Sequence, residues 1–437
     1  LLQGSKDVQV ARIVYDSRQV TPHSLFIALT GNRVDGHQYI ADAFNLGASA
    51  VIVEHSVELL GPHTIIEVED TRMALAKFAS RFYGYPGDDL KLMAITGTNG
   101  KTSVSFLVRH LLQQAGHRCG LMGTVEYDLG NRIIPAMRTT PESPEIHEYL
   151  AAMVKEGCIY GVMEVSSHAL LQHRVHGLKF DTVAFTNLTQ DHLDYHGSMG
   201  NYFNAKRRLF ELHAKGGKIV NGDDQFGDQL AQEYASTTVG ERESAQLRIE
   251  VVELDQSGSR FRIDDTQFQM PLIGRHNVEN AAMAIAIVQQ VAGISLDQSA
   301  EGLIKARPVP GRLEAIEENQ PFGVYVDYAH TDDALSNVLE ALREITPGKL
   351  QVVFGCGGNR DSGKRNKMGK VASELADVVT ITTDNPRRED PAIIAQQIAE
   401  GCSSVRQEGW RIELDRARAI DEVLRSARSG DTVLVAG

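Results

Sequence analysis

The stretch Gly97-Thr98-Asn99-Gly100-Lys101-Thr102-Ser103 has the residue types and spacing of a polyphosphate site. The apolar run Leu90 to Ile95 before it reads as a buried strand, and the pattern from Thr102 onward has helical periodicity. A glycine-rich loop between a strand and a helix N-terminus aims successive backbone N–H groups and the positive end of the helix dipole at one point. Lys101 would reach the outer phosphates of a nucleotide, and the Thr102 hydroxyl its Mg2+. Ile95 stands where the general motif has its first glycine, so this is the shorter GTNGKT form. The chemistry expected is that of a nucleoside triphosphate.

Such a loop needs a sheet to hold it, and 437 residues are enough for about three domains. The net charge of −13 argues against nucleic acid as a principal partner, though not against anionic substrates, which see local fields. No apolar run approaches the ~20 residues of a membrane span. No signal peptide is visible, and the chain opens abruptly at Leu1-Leu2-Gln3-Gly4, so its true start is expected to be missing. Cys119, Cys158, Cys356 and Cys402 lack metal-ligand spacing and read as reduced thiols of a cytoplasmic enzyme.

Residues 1–88 form a first, small α/β unit. Strands are expected at Val10–Tyr15, Ser24–Leu29 and Ala50–Glu54, with a helix over Tyr39–Leu46. The breaker Gly84-Tyr85-Pro86-Gly87 ends it. Residues 89–311 alternate strands and helices, the signature of a mostly parallel sheet of P-loop type. Its strands Leu90–Ile95, Gly161–Val165, Thr182–Thr186 and Lys218–Asn221 run into polar clusters around Glu164, Asp191-His192 and Asp223-Asp224. Ligands of such sheets lie beyond the carboxyl ends of the strands, so these clusters should converge on the phosphates. Pro308-Val309-Pro310-Gly311 suits a hinge. Residues 312–437 repeat the alternation in a Rossmann-like α/β domain, with strands at Val324–Asp327, Leu350–Gly355, Val378–Thr382 and Thr432–Val435.

The motifs stand in a fixed order: Asp16-Ser17-Arg18, GTNGKT, Arg138-Thr139-Thr140-Pro141, Glu164-Val165-Ser166-Ser167-His168, and the run Thr186 to Asp194. Asn204-Ala205-Lys206, Gly274 to Asn280, Pro310-Gly311-Arg312, Asp327-Tyr328-Ala329-His330 and Asp384-Asn385-Pro386-Arg387 follow. Over nearly its whole length the chain closely resembles the Mur ligases of bacterial cell-wall synthesis, and within them the branch that adds the third residue of the peptide. The resemblance implies a cytoplasmic monomer with three small-molecule substrates: ATP, a UDP-N-acetylmuramoyl-dipeptide and meso-diaminopimelate. ATP would phosphorylate the dipeptide's terminal carboxylate, and the incoming amine would attack the acyl phosphate.

That transfer brings like charges together, so it needs cations rather than a nucleophilic side chain. Thr102, Glu164 and His192 offer an oxygen-rich set with one imidazole, which suits Mg2+ or Mn2+. The resemblance implies two Mg2+ ions, the second held by Lys206 as a CO2-derived carbamate, with Lys101, Glu164, His192 and Lys206 catalytic. It places Asn277, with His276 and Asn280, near adenine. Arg312, Asp327 and His330 then face the nucleotide from beyond the hinge. Tyr15, Ser17 and the loop Asn32-Arg33-Val34 would hold the uridine diphosphate end. Thr139, Thr140, Ser166, Gln172 and Arg174 would hold the muramoyl-dipeptide. The amino acid falls to Arg360, Asp384, Asn385, Pro386, Arg387 and Gly437. Gly437 would begin a Gly-Lys-Gly-His-Glu segment that lies past the end of this chain.

Other readings fit less of the chain. A P-loop switch or motor would share GTNGKT but needs no amino-acid pocket. A dinucleotide oxidoreductase could be read from Gly355-Cys356-Gly357-Gly358, but no acidic residue follows at the ribose position, and Lys364 and Arg365 crowd the loop. The L-lysine-adding relatives lack the arginine of Asp384-Asn385-Pro386-Arg387, and a folylpolyglutamate-synthetase-like ligase would not carry that motif.

Overall fold

The computed structural model describes residues 1–437 apart from 1, 6, 32–33, 58–62, 256 and 360. Asn32, Arg33 and Arg360, each expected to contact a ligand, lie outside the described residues.

The strands form three sheets. The first is all parallel, in the order Arg12–Val14, Ser24–Ile27, Ala50–Val53, Thr64–Glu67. The third runs Glu314–Ala315, Gly323–Asp327, Thr432–Ala436, Leu350–Phe354, Val378–Ile381, Trp410–Ile412, with only its first pair antiparallel. The eleven-stranded second sheet has Lys91–Thr96 near its middle, between Phe180–Phe185 and Tyr160–Glu164. Its central strands are nearly continuous apolar runs because both faces are covered, as in other parallel sheets. Ile95 and Val162 are 0% exposed.

At one end of this sheet Leu247–Asp255, Gly258–Ile263 and Thr266–Met270 pair antiparallel. The sequence reading missed all three strands. They bury one face only, so Phe261 and Ile263 alternate with exposed Arg260 and Arg262, and mean polarity there looks like that of a loop.

Contacts divide the chain into two compact units, Leu1–Ala94 with His117–Asp181 and Arg208–Gly216, and Ile95–Gly116 with Thr182–Arg207 and Gly217–Gly437. In the first, helix Thr71–Phe82 packs on helix Ser143–Lys155. In the second, helix Lys101–Gln114 packs on helix Arg275–Ala292. Leu335, Leu339, Phe354, Met368, Ile398 and Leu434 fill the core of its last sheet.

Candidate active site

Helix Lys101–Gln114 starts at Gly100, whose φ of 83° is left-handed, and no side chain caps it. A helix N-terminus of this kind presents backbone N–H groups to an anion. Gly97, at φ 146°, and Gly100 cannot carry a side chain: a Cβ on the first would land on the Thr186 hydroxyl, and on the second on Asn280 Oδ1. Thr186 and Asn187 brace the loop from the next strand. Thr186 Oγ1 donates to the Asn99 carbonyl at 2.6 Å, and Asn187 Oδ1 accepts from the Asn99 amide at 2.9 Å. Lys101 Nζ folds back on the Gly97 and Thr98 carbonyls at 3.0 and 2.7 Å.

Lys206, on helix Met199–Arg208, donates to the same Gly97 carbonyl at 2.6 Å. It is 1% exposed and lies over the Tyr202 ring. Burial pushes its amine well below the ordinary range, Lys101 adds to this, and Asp191 opposes it.

The second unit also carries Arg312, Asp327, His192 and His330. Arg312 Nη2 lies 3.4 Å from Thr102 Oγ1, with its guanidinium stacked on Tyr328. Asp327 accepts from the Leu313 and Ala329 amides at 2.6 and 2.7 Å. Burial raises its carboxyl above the usual range against the pull of Arg312. His192 sits in the left-handed region at φ 54°, a conformation held at some cost for a residue of this kind. Its Nε2 is 3.3 Å from Asp191 Oδ2, and His330 Nε2 is 4.0 Å from the same oxygen. Burial alone would raise Asp191, yet His192, His330 and Lys364 hold it below the carboxylate range. Asp191 was noted in the sequence only as a neighbour of His192, and here it is the shared anion of two imidazoles.

Helix Arg275–Ala292 carries His276, Asn277 and Asn280, and Asn280 Oδ1 lies against Gly100 of the loop. Asn277 is buried and donates to the Ile273 carbonyl at 2.8 Å, while burial lowers His276 to about 4. The sequence reading passed over Glu279, whose carboxyl is raised to about 7 by burial, then by Glu241 and Asp223, with Arg275 opposing. An acid raised on folding contributes stability that is fully present below its ordinary value and lost as the pH climbs through about 7. Glu279→Gln should therefore gain on the natural protein by ~2 kcal/mol between pH 5 and pH 8. Denaturant titrations at the two pH values check this, and parallel curves for the two proteins would refute it.

In the first unit the expected substrate residues are bonded to one another. Thr140 Oγ1 donates to the Glu164 carbonyl at 2.8 Å and accepts from the Ser166 amide at 3.1 Å. Arg174 is no solvated charge. It donates to the Thr140 carbonyl at 2.7 Å and to Gln172 Oε1 at 2.6 Å, beside Glu142 at 3.0 Å. Glu164 is fully buried and accepts from the Thr124 amide and hydroxyl at 2.8 and 2.9 Å, and that hydroxyl is 3.1 Å from Thr139 Oγ1. Ser17 opens a short helix capped by Asp16. The Tyr15 hydroxyl, expected toward the uridine end, donates to Glu145 at 2.8 Å.

Asp35, His37 and His55 offer ligand atoms within 4.8 Å of one another. The Glu54 amide donates to His37 Nε2 at 2.9 Å, which puts the ring proton on Nδ1 toward Asp35 at 2.7 Å. A metal on Nδ1 would force that proton onto Nε2, against the amide. The cluster reads as a structural link.

At Asp384-Asn385-Pro386-Arg387, the Asn385 carbonyl accepts from the Gly358 amide at 2.8 Å, and Arg387 Nη1 donates to the Gly358 carbonyl at 2.7 Å. Arg387 is exposed, at φ 52°. Gly437 donates to the Asp327 carbonyl at 3.0 Å.

Three family profiles match the chain: the Mur ligase family catalytic domain over residues 9–83, the Mur ligase middle domain over 95–288, and the Mur ligase glutamate ligase domain over 311–437. The UDP-N-acetylmuramoyl-L-alanyl-D-glutamate--2,6-diaminopimelate ligase of Clostridium perfringens (strain 13 / Type A) is 39% identical, with 100% of this chain and 91% of the relative covered. The ligase of the same name from Solibacter usitatus (strain Ellin6076) is 42% identical, over 98% and 88%. A solved structure of a ligase so named matches with a TM-score of 0.70 at 31% identity, over 99% and 91%. MurF from Acinetobacter baumannii shares the fold, with a TM-score of 0.69 at 20% identity over 98% and 90%.

Proposed function

This chain belongs to the Mur ligase family, and from that premise we propose that it is the ATP-dependent ligase adding meso-2,6-diaminopimelate to UDP-N-acetylmuramoyl-L-alanyl-D-glutamate in peptidoglycan precursor synthesis. The observation that carries the reading is the GTNGKT loop with Lys101 and Lys206 on one carbonyl and Arg312 at Thr102. The domain division 1–88, 89–311 and 312–437 belongs to the proposal, and the three matched regions support it. So does a cytoplasmic monomer. Among the described residues no helix is long and apolar enough to cross a membrane.

Lys101, the loop amides and Arg312 hold the ATP phosphates, with Asn277 at the adenine and Asp327 and His330 nearby. The substrate carboxylate attacks the terminal phosphorus, the bond to the bridging oxygen breaks, and ADP leaves. The diaminopimelate amine then attacks the acyl carbon, loses a proton, and the tetrahedral centre expels phosphate. Thr102, Glu164, His192 and a Lys206 carbamate have the donor chemistry for two Mg2+ ions. Those ions would neutralise the charge gathered between phosphates and carboxylate. A neutral, buried Lys206 amine fits that role, since carbamate formation joins nitrogen to the carbon of CO2 and releases one proton. Ser17, Thr139, Thr140, Ser166, Gln172 and Arg174 serve the UDP-dipeptide, and the Asp384 to Arg387 turn the amino acid.

The test is an ADP-release assay. Turnover should require UDP-dipeptide and meso-diaminopimelate together, and L-lysine should not replace the latter. ADP release without either substrate would overturn the reading.

A further inference from the structure

Asp333 has none of the roles assigned above. It lies in the first turn of helix Asp332–Ile345, which Thr331 caps by accepting from the Ala334 amide at 3.2 Å. One of its carboxylate oxygens, Oδ2, accepts from Asn99 Nδ2 at 2.7 Å and from Thr189 Oγ1 at 3.2 Å, with Asn337 Nδ2 at 3.5 Å. Asn99 is the middle residue of the phosphate loop, and its own amide and carbonyl are already fixed by Asn187 and Thr186. The side chain is thus the loop's remaining freedom, and a residue 234 positions away holds it. Burial raises its carboxyl above the usual range, while the donors Thr189 and Asn99 that converge on it oppose the shift.

We propose that Asp333 is a positioning residue that, through the Asn99 side chain, sets the phosphate loop and the start of this helix in one register, so that the loop meets the nucleotide already positioned. His330, at the nucleotide, is three residues before it, and the strand Gly323–Asp327 that leads into it pairs with Thr432–Ala436. What the link requires is an acceptor oxygen, which an asparagine side chain also supplies.

Asp333→Ala should raise the KM for ATP about tenfold, the worth of one to two hydrogen bonds, with the KM for meso-diaminopimelate at saturating ATP within about twofold. Asp333→Asn should restore most of it. In the ligand-free protein, amide hydrogen exchange across residues 97–101 should quicken about tenfold in the alanine variant and stay near the natural rate in the asparagine variant. Asn99→Ala combined with Asp333→Ala should be little worse than either alone. Unchanged exchange and KM in Asp333→Ala, strict additivity with Asn99→Ala, or an asparagine variant as impaired as alanine would each overturn the proposal. The kinetic arm rests on the ligase reading. If the natural protein proved inactive with these substrates, that reading would fail, while the exchange comparison would still decide Asp333.

Discussion

Lys206→Ala should cut ligase turnover about a thousandfold, the scale on which loss of a preorganised contact to a charged transition state registers. An ordinary lysine on a helix surface would tolerate the change. Lys206 is not one: it is 1% exposed, under the phosphate loop, with its amine on the Gly97 carbonyl. Burial and the neighbouring Lys101 hold its amine well below the ordinary lysine range, which favours the uncharged, nucleophilic form in a dry site. A carbamate there turns the buried amine into an anion suited to Mg2+, in a site that must hold a triphosphate against a carboxylate. The alanine variant leaves room for a small carboxylic acid, so acetate or formate should return part of the activity. Full turnover in Lys206→Ala without any added acid would dispose of the carbamate.

What could be read from the residues alone was what is local. Strand Lys91–Thr96, the loop after it and helix Lys101–Gln114 lie within one or two residues of their expected bounds, because apolar runs, glycines and helical periodicity are all short-range signals. The neighbours that the fold supplies were out of reach. Arg365 looked like a residue crowding a loop, yet it is 1% exposed and bonded to Glu389 and Gln397 at 2.9 and 2.7 Å. Nothing near Arg365 in sequence announces those partners, 24 and 32 residues on. The bond from Asp333 to Asn99 and the turn of Tyr15 toward Glu145 were hidden for the same reason. Asp191 was partly visible. Its position after a sheet strand pointed to the site, but only the approach of His330 makes it the centre of a charge cluster.

Arg387→Ala should lower meso-diaminopimelate turnover by two or more orders of magnitude and leave ATP affinity nearly unchanged. Diaminopimelate differs from lysine by one carboxylate at the far end of the side chain, and a pocket that selects it must pair that group. Arginine does so with two parallel hydrogen bonds from a planar fork. In the turn Asp384-Asn385-Pro386-Arg387, Arg387 holds a left-handed φ of 52°, and one of its five N–H donors is spent on the Gly358 carbonyl at 2.7 Å. That bond fixes the direction of the guanidinium without consuming its charge. The backing is close: a Cβ on Gly357 would come within 2.8 Å of Arg387 Nη1, so the glycine is what lets the fork lie where it does. Arg387 is exposed in the free protein, so the loss assumes that the bound amino acid covers the fork. A carboxylate then buried without its cation costs about 2–5 kcal/mol, at roughly 1.4 kcal/mol per decade. Arg387→Lys keeps the charge but not the fork, so it should recover only part of the activity. The ATP site would not register either change, because its loop is held by Thr186, Asn187 and Asp333 rather than by this turn. If the unmodified enzyme accepted L-lysine as readily as meso-diaminopimelate, no carboxylate would need pairing, and Arg387 would have to be explained as a brace for the Gly357-Gly358 loop.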